Sequence, residues 1–122
     1  MVNLMYYRSK IDEIIHKDYD HETPDIPRSK EYCRAISHML KSIFPDYTII
    51  PTKGCYCESS GFIQKNGKFV YYSFNDYRYD LFGKWYERIL IRTAQNEHDY
   101  TGGPNHYADL DNLRYEVDRL FY

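Results

Sequence analysis

The chain has 122 residues, 43% of them hydrophobic, with 16 Lys plus Arg against 18 Asp plus Glu for a net charge of −2. That length suits one domain (1–122) whose core can stand without metals or disulfides. The balanced charge excludes a nucleic-acid binder working by bulk positive charge and a strongly acidic DNA mimic.

Leu4, Tyr7, Ile11, Ile14 and Ile15 recur at helical spacing and predict a first helix over 4–16. The polar stretch Asp18–Pro27, with two prolines, reads as a linker. Residues 1–26 then form an N-terminal helix and linker ahead of a helix–sheet–helix unit over 27–122. Cys33, Ile36, Met39, Leu40 and Ile43 make the stripe of a second helix, stopped by Pro45. Tyr47–Ile50 is a short β-prone run. Cys55–Gln64 and Lys68–Phe74 flank Asn66-Gly67, the pair that a type I′ hairpin turn wants because both positions need φ > 0. An 11-residue connection, Asn75–Trp85, leads to a strand over Tyr86–Ala94, and a polar loop follows over Gln95–Tyr107. Leu110, Leu113, Val117, Leu120 and Phe121 mark a last helix, with Asp109 as N-cap.

The predicted fold is therefore α+β: two N-terminal helices, an antiparallel meander of three or four strands, and a C-terminal helix packed on one sheet face. Alternation puts Ile89 and Ile91 on the core side of their strand and Leu90 and Arg92 on the other. The strand before it is aromatic on both faces, so whichever one packs, the other still displays Tyr.

Tyrosine carries the functional signal. There are 15, against six Phe and one Trp, and seven of them lie between Tyr71 and Tyr107 together with Arg78, Arg88 and Arg92. A phenol covers apolar area yet stays wet when free, and Tyr with Arg is the composition of interface hot spots. The candidate partner-binding residues are Tyr71, Tyr72, Tyr77, Tyr79, Trp85, Tyr86, Arg88, Arg92, Tyr100 and His106. The bland alternative is that cross-strand Tyr–Arg pairs only stabilise a solvated sheet.

Other chemistries are weaker. Cys55-x-Cys57 with His98 or His106 has zinc-binding residue types but lacks the usual knuckle spacing, and two small buried side chains explain it better. The 97–107 loop holds His98, His106 and a Gly102-Gly103-Pro104 turn before a helix N-terminus. Those residues suit acid/base or anion chemistry, with Asp109 already at the cap. No nucleotide-binding, hydrolase or metalloprotease motif occurs, so no cofactor and no metal is expected. The helix–strands–helix order resembles a double-stranded-RNA-binding domain, but that family's basic cluster is missing from Ala108-Asp109-Leu110-Asp111.

Three cysteines, no apolar leader and no apolar run of roughly 18–20 residues predict a soluble, cytoplasmic protein without a membrane partner. Ile89–Tyr107 (ILIRTAQNEHDYTGGPNHY), with the Tyr-rich strand before it, resembles small proteins of bacteriophages and bacterial mobile elements. The resemblance implies a non-catalytic inhibitor or adaptor in a bacterial cytoplasm, of the anti-CRISPR kind, that covers the working surface of a host nuclease. The alternatives are a single-stranded nucleic-acid binder that stacks bases on the same face and a small enzyme built on the 95–107 loop.

Overall fold

A computed structural model describes residues 2–17, 25–52, 58–78 and 84–122. The elements run α1 (Leu4–His16), α2 (Asp25–Ile43), β1 (Thr48–Pro51), β2 (Ser59–Lys65), β3 (Lys68–Phe74), β4 (Ile89–Ala94), β5 (His106–Ala108) and α3 (Leu110–Phe121). The five strands form one antiparallel sheet in chain order, β1-β2-β3-β4-β5. The α+β architecture is the one expected, with one strand more. The fifth strand lies in what reads as loop, because three residues after a Gly-Pro turn are too few to display a period of two.

Local chemistry sets the boundaries. Asn3 opens α1 by accepting the Tyr6 N–H (3.1 Å), and Asp109 opens α3 by accepting the Asn112 N–H (3.0 Å). Helix α2 starts earlier than expected. Pro27 is tolerated in its first turn, where the missing N–H would have had no intrahelical partner. Asn66 (φ 52°) and Gly67 (φ 78°) form the predicted turn and pair Lys65 with Lys68. The predicted strand Tyr86–Ala94 starts only at Ile89, because the Arg88 N–H turns back to the Tyr86 carbonyl (3.0 Å).

All three helices sit on one face of the sheet. Ile11, Ile14 and Ile15 of α1, Ile36, Met39 and Leu40 of α2, and Leu110, Leu113, Val117 and Phe121 of α3 pack with Ile63, Val70, Tyr72, Phe74, Ile89 and Ile91. Ile89 and Ile91 are therefore on the core side, as their alternation requires. The described ends of the connection after β3 also turn inward. The Tyr32 hydroxyl donates to the Asn75 carbonyl (2.7 Å) and accepts the Trp85 indole N–H (3.1 Å), and Asp12 accepts the Trp85 backbone N–H (2.7 Å). Trp85 stacks on Phe74 at 6.1 Å.

Two ionic clusters tie the helices together. Glu87 accepts Arg8 Nε (2.7 Å), Arg8 Nη2 (3.0 Å) and the Leu110 N–H (3.2 Å), joining α1 to the start of α3. At the other end Arg114 grips Asp46 with two nitrogens (2.7 and 2.9 Å) and reaches Asp118 (3.0 Å). The Tyr47 hydroxyl donates to the same Asp118 (2.6 Å).

Candidate functional site

The sheet face turned away from the helices is built from three cross-strand rows. Register aligns Ile50, Phe62, Tyr71 and Arg92 in one row, Ser60, Ser73, Leu90 and Tyr107 in a second, and Gln64, Phe69 and Ala94 in a third. No helix covers them among the described residues. Phe62 is nevertheless only 1% exposed, because other rings cover it: Tyr71 and Tyr100 each lie 5.5 Å from it, centroid to centroid, and 5.9 Å from each other. Tyr100 stays 45% exposed and Tyr107 49%, so the aromatic cluster has a wet outer surface.

Tyr100 arrives from the loop between β4 and β5, which is tied down at its base. Asp99 accepts the Gln95 N–H (3.0 Å) with one oxygen and the Thr101 N–H (3.2 Å) with the other. The Gly103 N–H closes the loop on the Thr93 carbonyl (3.0 Å). Gly102 lies against that same carbonyl so closely that a Cβ there would overlap it. Of the polar residues that resemble a reactive cluster, Asp99 is thus engaged in holding the turn. His98 is exposed, with Glu97 3.7 Å away, and its backbone N–H is bonded to Asn96 (2.8 Å).

Two arginines make cation–π contacts with tyrosines here. Arg88 sits over the Tyr107 ring at 4.1 Å and Arg92 over Tyr71 at 5.0 Å. Neither guanidinium has an ion pair or hydrogen bond among the described residues, and Arg92 Nε is buried without an acceptor. They differ in this from Arg8 and Arg114, which sit in carboxylate clusters on the helix side. There the Glu87 hydrogen bond raises the Arg8 pKa above its ordinary value. The Arg114 hydrogen bond holds the Asp46 carboxyl well below the usual range. Burial, reinforced by the hydrogen bond to Asp118, pushes the Tyr47 phenol above its normal value. Those charges serve the scaffold.

Of the ten residues that the sequence nominates, Tyr71, Arg88, Arg92 and Tyr100 lie on this face, and exposed Tyr86 precedes it in the chain. Three are corrected to core. Tyr72, Tyr77 and Trp85 are 0%, 4% and 7% exposed, so they face the helices and offer nothing to a partner. Tyr72 alternates with Tyr71 and shares its side with Val70 and Phe74, while Tyr77 packs edge-on against Tyr32 at 5.4 Å. His106 is half-buried and lies off this face: it pairs opposite Ile91 on the helix-facing side, and its neighbour Tyr107 takes the open one. Tyr79 lies outside the described residues, as do Cys55 and Cys57 of the zinc reading. Phe62, Leu90 and Tyr107 are among the face residues that the sequence reading leaves out; their alternation with buried neighbours is the signal that finds them.

Among the described residues no group of three or more His, Cys, Asp or Glu side chains is placed to hold a metal, and no helix is long and apolar enough to cross a membrane. No protein-family model, curated protein or solved structure matches the chain.

Proposed function

We propose that this protein is a non-catalytic binding module, an inhibitor or adaptor, whose contact surface is the helix-free sheet face around Tyr71, Tyr100, Tyr107, Arg88 and Arg92. The observation that carries the reading is the grouping of half-exposed tyrosines and stacked, unpaired arginines on the one sheet face that the helices leave bare. Such rings would fill pockets in a partner at small entropic cost, and planar guanidinium groups would pair with its acceptors. In the narrower form of the proposal the protein is borne by a phage or mobile element, and its partner is a cytoplasmic defence nuclease of the bacterial host.

Affinity capture from bacterial lysates with the wild-type chain and a Tyr100→Ser/Tyr107→Ser variant, read by mass spectrometry, tests it. A partner retained by the first and lost by the second, with folding unchanged, is expected. Equal capture by both, or no partner above background across several hosts, overturns the proposal.

A further inference from the structure

Resting on that reading, we infer that the sheet face recognises an acidic, extended segment of a partner protein, with Arg88 and Arg92 each taking one carboxylate. Among the described residues, Arg8, Arg78, Arg114 and Arg119 have their charge answered by carboxylates within the chain. Arg88 and Arg92 instead sit over the rings of Tyr107 and Tyr71 and have no acceptor among the described residues. Glu58 lines the same notch as Arg88, Ser73, Leu90 and Tyr107, yet it forms no ion pair with that arginine. A guanidinium placed over a ring gives up some rotamer freedom, and its fork of N–H donors fits a carboxylate.

Charge complementarity and spacing fix the occupant. Glu58 shares the Arg88 notch and Glu97 lies near Phe62 and Tyr100, yet neither pairs with Arg88 or Arg92, so a carboxylate brought by a ligand finds both guanidinium groups open. Arg92 lies in β4 and Arg88 stands just before it, four residues earlier on the same side, which makes their separation roughly 13 Å at the rise of an extended chain. Two acidic residues about four positions apart in an extended peptide span the same distance. Between them Leu90, flanked by Ser73 and Tyr107, offers an apolar seat for a side chain of the peptide, and the Tyr71–Phe62–Tyr100 cluster lies beside Arg92. A single-stranded nucleic acid would want open ring faces for its bases. On Tyr71 and Tyr107 one face of each ring is already taken by arginine.

Panning a random peptide library against the full chain tests this, followed by affinity measurement on a synthesised winner. The expected winners carry Asp or Glu pairs about four positions apart. The winner's affinity should fall about ten- to a hundredfold in Arg88→Ala/Arg92→Ala, with thermal stability nearly unchanged. Arg92→Lys should fail to restore it, since an ammonium lacks the fork. Winners without acidic bias, or winners that the double variant binds equally well, overturn the inference and leave the protein-binding reading standing. A library that yields no binder, together with empty lysate captures, removes both. Binding of a short fluorescent oligouridylate that depends on the two arginines and weakens steeply with salt overturns the peptide in favour of nucleic acid.

Discussion

Replacing Glu87 by Ala perturbs the point where three elements meet. Its carboxylate accepts from Arg8 Nε, Arg8 Nη2 and the Leu110 N–H, at 2.7, 3.0 and 3.2 Å. Arg8 and Glu87 have side chains 23% and 22% exposed, so the pair lies between a surface bridge and a buried one. A hydrogen bond to a charged group contributes roughly 1.5–3 kcal/mol net, while exposed ion pairs contribute about 0–1. Asp111, 3.2 Å from Arg8, still holds the guanidinium in the variant. A loss of about 2–3 kcal/mol follows. For 122 residues at about 2.1 cal/mol/K each, the unfolding entropy is about 0.26 kcal/mol/K, which converts that loss into a fall in Tm of about 8–12 °C. Differential scanning calorimetry reads it. Arg8→Ala and the double variant complete a cycle with an expected coupling of about 1–2 kcal/mol. A Tm within about 3 °C of wild type, or strictly additive single effects, refutes the clamp.

Trp85→Ala should cost about 3–5 kcal/mol as a core truncation, and the native emission of this single tryptophan should be blue-shifted and resist iodide quenching. Red-shifted, readily quenched emission would return Trp85 to the surface. Because the Asp46 pKa is lower folded than unfolded, its contribution is present above about pH 4 and lost as pH falls further, where the unfolded chain binds the extra proton. Asp46→Asn should flatten that limb of an acid-unfolding titration, and an unchanged limb counts against the pairing with Arg114. Gly67→Ala, at φ 78° in the hairpin turn, should cost about 1 kcal/mol by denaturant titration, and a stabilising effect would contradict the turn.

Local patterns were legible in the residues. The helical stripes, the Asn66-Gly67 turn, the Asp109 cap and the inward side of Ile89 and Ile91 each depend on neighbours within a few positions, and each appears as expected. What depends on distant partners did not show. Tyr77 and Trp85 look like surface aromatics until Tyr32 and Asp12, far along the chain, draw them inward. Tyr71 and Tyr72 are indistinguishable by type, and only the side on which the helices pack decides which one faces outward. Strand β5 needs β4 as a template, and its pairing is what separates Tyr107 from His106.

The staked-down loop that carries Tyr100 has a kinetic consequence. With Asp99 and Gly103 locking its backbone, the entropy of arranging this surface is spent during folding, before any encounter. A visitor would meet a rigid relief, so the free and occupied shapes should nearly coincide, and discrimination between visitors should be expressed chiefly in how long each one stays.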